Sequence, residues 1–248
     1  TRVRAADLGV DFGFVGKEYF KGKGFMNLNW GGDTRNPDIG FDYRIDDFKG
    51  QIIPILRKPR QLYELNKPYY DPEINFISDG SVIDGYGAQD IRYFEHRLDE
   101  VGEWLKVEHL FIHPDICVIN FRGGEYTAIP DLFLGQDYWQ KAISMMREKN
   151  DRVRFEVHTD DPQTAKQFFP DFTIIENRMT TADKQYENIA LNWQTIRYAK
   201  NLIISNSAFA ILPALLGDAY VIAPRYWAGR NVGEWRRPGN YYKGWTYI

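Results

Sequence analysis

The spacing of apolar and polar positions changes repeatedly along the second half of the chain. A largely apolar run at 116–121 predicts a buried strand, and apolar residues spaced by three and four over 137–149 predict a helix. The same patterns predict strands at 153–157, 172–175, 202–204 and 220–223. They also predict three helices: a short one that begins at 161, one over 183–200 and one over 207–216. Strands and helices therefore alternate, with short connections between them.

This alternation is typical of an α/β fold, in which a parallel sheet carries helices on its faces. Ligands of such sheets bind beyond the carboxyl ends of the strands. In this chain those ends carry polar clusters, at 122–125, 158–161 and 205–207. We therefore expect the three clusters to lie along one binding edge.

The first half of the chain is less regular. Residues 16–50 contain many glycines and few clear periods, and short strands are expected at 10–14, 51–56 and 74–77. Apolar spacing over 88–107 predicts an amphipathic helix. We place the boundary between an amino-terminal lobe, 1–112, and a carboxyl-terminal lobe, 113–248, where the irregular half meets the regular one.

Composition excludes several classes of protein. Hydrophobic residues make up 44% and charged residues 26%, which is ordinary for a globular chain and unlike a disordered or collagen-like one. The apolar stretch 208–216 is much shorter than the roughly 20 residues of a membrane helix. The net charge of −3 provides no overall basic field for nucleic acid. We expect a cytoplasmic protein, or one peripheral to a membrane, that does not bind nucleic acid.

The cluster after the strand at 202–204 is suited to phosphate. Ser205, Asn206 and Ser207 precede a helix whose first backbone N–H groups have no partners within the helix and lie at the positive end of its dipole. A phosphate there would receive these N–H donors and the two serine hydroxyls. The alternative is an ordinary helix cap, and the two roles are compatible.

The other two clusters offer a cation and carboxylates. Arg122 is followed by two glycines, which allow close backbone approach to an anion, although an ion pair at a tight turn is equally compatible. Asp160 can accept from a base or sugar hydroxyl, and Asp161 before Pro162 is also suited to cap a helix. The pair His109 and His113 is followed by a proline and lacks a zinc-protease pattern, so we predict no metal site.

Taken in order, five stretches resemble the alpha-1,2-fucosyltransferase family and its wider superfamily. The family's His-x-Arg-Arg-Gly-Asp-Tyr stretch is similar to residues 120–126, in which Asn120 replaces the His and Gly123 the second Arg. Four more stretches resemble blocks of the family. Residues 159–162 are similar to its Ser-Asp-Asp-Pro block, and 206–212 to its Asn-Ser-Ser-Phe-Ser-Trp-Trp block. Residues 221–227 are similar to its Val-Ile-Ala-Pro-Lys-x-Trp block, and 85–94 to its Gly-Tyr-Phe-Gln-Ser-Glu-x-Tyr-Phe block. The family's glycine-rich opening loop is not matched, and 1–14 resembles the stretch after it. We therefore expect the chain to lack the first strand and loop.

The resemblance implies a GT-B-like α/β fold with two Rossmann-like lobes. It implies an inverting, metal-independent glycosyltransferase that needs no cofactor and moves a sugar, fucose from GDP-fucose above all, to a hydroxyl of a glycan acceptor. The acceptor would belong to the amino-terminal lobe and the nucleotide-sugar to the carboxyl-terminal lobe.

The matching positions define the candidate site residues. Arg122 would bind the β-phosphate, and Glu125 would be the base for the acceptor or would orient Arg122. Asp160 would recognise the nucleoside. The predicted nucleotide-sugar-binding residues are Asn120, Gly124, Asp160, Asp161, Ser205, Asn206, Ser207 and Phe209.

Two alternatives remain open on the sequence. The departures at Asn120 and Gly123 are compatible with a transferase that uses another nucleotide-sugar on the same scaffold. A catalytically inactive relative that binds nucleotide or carbohydrate is the other alternative. Retention of Arg122, Glu125 and Ser207 together favours activity.

Overall fold

The computed structural model describes residues 62–64, 70–76, 82–84, 90–176, 182–227 and 241–248, with the backbone alone at 62–64, 82–84 and 182–188. The chain divides into two compact units, Thr1–Lys106 and Val107–Ile248. The assignment of an acceptor side and a donor side to two lobes, and the two-lobed GT-B arrangement itself, stay predictions.

The first unit contains short elements. Strands β1 (Leu62–Glu64) and β2 (Val82–Asp84) pair in parallel, and helix α1 spans Leu98–Trp104. Tight 3-10 turns occupy Pro72–Phe76, Ile91–Tyr93 and Glu95–Arg97. The predicted strands at 10–14 and 51–56 lie outside the described residues.

Two predictions for the first unit are wrong in detail. Residues 74–76 belong to a 3-10 turn and not to a strand, because the Asp71 carboxylate accepts the Glu73 N–H at 3.1 Å and closes the chain into a turn. Within the described part of the helix predicted over 88–107, residues 90–107, the α-helix is confined to α1. Asp90 accepts the backbone N–H of Arg92 at 3.0 Å and begins a 3-10 turn, whose period of three fits the same apolar spacing.

The second unit alternates strands and helices as predicted. Its strands are β3 (Ile116–Phe121), β4 (Arg154–Thr159), β5 (Thr173–Glu176), β6 (Asn201–Ile204), β7 (Tyr220–Ala223) and β8 (Thr246–Tyr247). Its helices are α2 (Gln136–Lys149), α3 (Pro162–Phe168), α4 (Ala182–Tyr198) and α5 (Ala208–Leu216). The strand β8 and a 3-10 turn at Gly124–Ala128 were not predicted.

The six strands form one parallel sheet in the order β5-β4-β3-β6-β7-β8. This order confirms the α/β class and its Rossmann-like character. From β3 the chain moves outward to β4 and β5, then returns to place β6 on the other side of β3. The point between β3 and β6 is the topological switch point, where sheets of this kind bind their ligands.

Both faces of the sheet are buried, which is why its two central strands, β3 and β6, are apolar at all but one position each. On one face, Phe121 of β3 packs among aromatic residues that include Trp139 of α2. On the other face, Val118 of β3 packs in a cluster that contains Ile196 of α4 and Ala210 of α5. The strand ends at the switch point are therefore fixed by close packing on both faces of the sheet.

Among the described residues, no helix has the length and apolar character needed to cross a membrane.

Candidate functional site

Arg122 follows the last residue of β3 at the switch point. Its Nη1 lies 2.6 Å from Asp160 Oδ2, and its Nη2 lies 3.1 Å from Glu125 Oε1. The guanidinium also lies 5.2 Å from the centre of the Tyr126 ring, within the range of a cation–π contact. About a third of the Arg122 side chain is exposed, so a bound anion can reach it.

The pair of Arg122 and Asp160 follows from strand register. Phe121 and Thr159 are partners in the parallel ladder of β3 and β4, so the next residue of each strand lies at the same level. No local sequence pattern indicated that these residues pair. The signal was present in the two strand ends, where opposite charges follow strands that proved to be neighbours.

The Gly123–Gly124 turn packs against the residues that follow β4. The Gly123 N–H donates to Asp160 Oδ1 at 3.0 Å. A Cβ at Gly123 would lie 2.5 Å from the Asp161 Cβ, and Gly124 has a φ of +39°, which disfavours other residues. Steric fit therefore requires glycine at position 123, where the resembling family carries its second Arg.

Replacing Gly123 with alanine is expected to lower the free energy of unfolding by about 1–3 kcal/mol, because the added methyl overlaps the Asp161 side chain close to its backbone. The turn would have to move, and the contact between Arg122 and Asp160 would move with it. Denaturant unfolding of both proteins measures the change. Unaltered stability would show that the turn is not closely packed on Asp161.

Asp161 caps helix α3. Its Oδ1 accepts the Thr164 N–H at 3.1 Å, and its Oδ2 accepts the Thr164 hydroxyl at 2.6 Å. Burial opposes ionisation of this carboxyl, but the hydrogen bonds outweigh it and lower its pKa. The capping role expected from the sequence is confirmed, and contact of Asp160 and Asp161 with a nucleotide-sugar stays a prediction.

The turn after β6 lies beside the end of β3. Ser205 is buried, its hydroxyl donates to Asn120 Oδ1 at 3.0 Å, and its N–H donates to Asn120 O at 3.0 Å. Ser207 is the N-cap of α5, and within the described residues its side chain forms no capping hydrogen bond. The start of α5 therefore presents backbone donors that its own cap leaves uncovered.

Asn206 connects segments on either side of the site. Its Nδ2 donates to the carbonyl of Leu132 at 3.0 Å and also to that of Trp227. Its Oδ1 is buried and has no partner among the described residues. The amide thus links the segment after β3 with the segment after β7, a role that the sequence did not indicate.

Two aromatic residues border this turn. The Tyr126 hydroxyl donates to Asn206 O at a long 3.5 Å, so Tyr126 connects the Arg122 cluster with the start of α5. Burial raises the Tyr126 pKa, which keeps the phenol protonated.

Phe209, in the first turn of α5, is 37% exposed and contacts Trp193 edge-to-face at 6.0 Å between ring centres. Its predicted contact with a ligand is compatible with this exposure.

The structure therefore brings together the residues predicted from three separate strand ends. Glu125 and Asp160 both contact Arg122, and Asn120 and Ser205 are joined by a hydrogen bond across the switch point. Among the described residues, no three or more His, Cys, Asp or Glu side chains are grouped so that they could hold a metal ion.

Comparisons with known proteins identify no relative. No protein-family model, no curated protein and no solved structure matches this chain. The likeness to fucosyltransferases rests on the short stretches quoted above, and membership of that family stays a prediction.

Proposed function

We propose that this chain is an inverting, metal-independent glycosyltransferase that takes a nucleotide-sugar, GDP-fucose first among them, and transfers the sugar to a hydroxyl of a glycan acceptor. One observation carries the proposal. A partly exposed guanidinium and the start of a helix occupy the ends of adjacent strands, β3 and β6, at the topological switch point of a parallel sheet.

The chemistry of sugar transfer explains why these groups are needed. As the bond between the anomeric carbon of the sugar and the β-phosphate oxygen breaks, negative charge accumulates on the departing diphosphate. Arg122 supplies a positive charge and a planar set of N–H donors, which suit phosphate oxygens. The start of α5, where the N-cap residue Ser207 makes no side-chain capping hydrogen bond among the described residues, supplies backbone N–H groups at the positive end of a helix dipole. Such preorganised donors stabilise the developing charge.

Glu125 supplies the remaining chemical group. Its side chain is 73% exposed, so it can reach an acceptor hydroxyl and take its proton. The same carboxylate can instead act only to orient Arg122, with which it is paired. Asp160 is placed to hold the opposite terminal nitrogen of Arg122 in either case.

The ion pairs of Arg122 favour one alternative function. Both terminal nitrogens contact carboxylates, an arrangement that also fits a nucleotide- or carbohydrate-binding protein without catalysis. The two functions differ in whether the bond between the sugar and the diphosphate of the nucleotide-sugar is broken.

A nucleotide and donor panel tests the proposal. We expect GDP to raise the melting temperature more than UDP or CDP, because a ligand that binds the native state stabilises it. Incubation with GDP-fucose and a set of glycan acceptors should release GDP and give a product of inverted anomeric configuration, which NMR can read. Stabilisation by GDP without release indicates the binding protein. No stabilisation by any of the three nucleotides would contradict the proposal.

A further inference from the structure

The three kinds of N–H group in the Arg122 side chain have different surroundings. Nη1 lies 2.6 Å from Asp160, whose side chain is 27% exposed. Nη2 lies 3.1 Å from Glu125, whose side chain is 73% exposed. Nε is buried and has no hydrogen-bond partner among the described residues. The guanidinium is therefore firmly held on one side and only lightly held on the other.

Nε and Nη2 belong to the same edge of the guanidinium. In arginine this edge carries two parallel N–H groups, which bind the two oxygens of a carboxylate or a phosphate together. Glu125 uses one of these donors and leaves the Nε beside it without a partner. The edge that best fits phosphate is thus occupied by a single carboxylate contact.

We propose that Glu125 is an internal stand-in for the phosphate of the ligand. The proposal rests on the proposed function and adds which group of the protein occupies the anion site when no nucleotide-sugar is bound. An incoming diphosphate displaces Glu125 from Nη2 and completes the pairing of Nε, while Asp160 keeps its contact with Nη1. Displacement leaves Glu125 free beside the ligand, at the stage when a base for the acceptor is required.

The difference between the two carboxylates determines which one leaves. Asp160 is less exposed, lies closer to Arg122, and is fixed by the Gly123 N–H at 3.0 Å. Glu125 is held by one long contact in a short turn, and an exposed pair of this kind contributes a factor of about five or less to an equilibrium. A diphosphate, with more charge than a carboxylate, therefore replaces Glu125 at small cost.

The test is the affinity of the whole chain for pyrophosphate and for GDP, measured by calorimetry on the wild type and on Glu125→Gln. The substitution removes the competing negative charge and keeps the size of the side chain. We expect both ligands to bind about three- to fivefold more tightly to Glu125→Gln. Glu148→Gln is the matched control, because Glu148 is exposed near the end of α2, at the opposite edge of the sheet. It should leave both affinities unchanged.

Each outcome decides the question. If the wild type binds and Glu125→Gln binds equally or less tightly, the stand-in role is wrong while the proposed function stands. An equal gain in Glu148→Gln would mean a general charge effect and would also overturn it. Binding by Glu125→Gln alone would support the stand-in strongly. If neither protein binds pyrophosphate or GDP, the stand-in and the proposed function both fail.

Discussion

Replacing Arg122 with alanine is expected to lower the rate of sugar transfer by about 10²–10³, the usual effect of removing one preorganised donor from a developing oxyanion. Arg122 is a cation at the switch point, with Asp160 and Glu125 in contact with it. Since its side chain is partly exposed and outside both apolar clusters, the variant should still fold.

Initial rates of GDP release from GDP-fucose, together with the melting temperature, measure this effect. Arg122→Lys should fall between the wild type and alanine, because lysine keeps the charge but not the planar pair of donors. Arg152→Ala controls for the loss of a positive charge, since Arg152 is exposed before β4 at the other edge of the sheet. Near-normal turnover by Arg122→Ala would show that this arginine does not stabilise the leaving group.

The second large effect concerns acid stability. His158 on β4 is buried, with Nδ1 3.3 Å from Asn192 Oδ1, and burial lowers its pKa from 6.5 to about 4. Between these values the unfolded chain binds a proton that the folded chain does not. The free energy of unfolding should therefore fall as the pH decreases from about 6.5 to about 4, by roughly 3 kcal/mol in all.

Denaturant unfolding at several pH values from 7.5 to about 3.5 measures this contribution. The carboxyl of Asp161 has a pKa lowered below 3.8, so its contribution to stability is lost mainly at the acidic end of this series, from about pH 5 downwards. His158→Gln keeps a hydrogen-bonding side chain but cannot titrate, so its stability should change much less between pH 6.5 and 4. An equally steep fall in that variant would mean that His158 is not the group responsible.

Strand and helix patterns predicted the second unit well because its sheet is covered on both faces. Burial of β3 on two sides demands a run that is apolar at almost every position, and the run at 116–121, in which only Asn120 is polar, stands out from any helical spacing. In the first unit, Asp71 and Asp90 turn the chain through hydrogen bonds to its own backbone. Apolar spacing carries no signal for such turns, and two predictions there were wrong in detail.

The site was predictable as a set of strand ends but not as a set of contacts. Parallel strands bring their carboxyl ends to one edge, which is enough to group Arg122, Asp160 and Ser205. Which side chains pair depends on strand order and register, and these are properties of the whole sheet. The burial of Ser205 and the link that Asn206 makes to Leu132 follow from the folded packing and from no local pattern.

The central claim is that a diphosphate binds at the switch point through Arg122. Calorimetric titration of GDP into the wild type, Arg122→Ala and Arg152→Ala tests it most directly. Since a hydrogen bond to a charged group contributes about 1.5–3 kcal/mol, we predict that Arg122→Ala binds GDP about 10- to 100-fold more weakly, while Arg152→Ala binds it as the wild type does. Equal affinity in the wild type and Arg122→Ala would contradict this account.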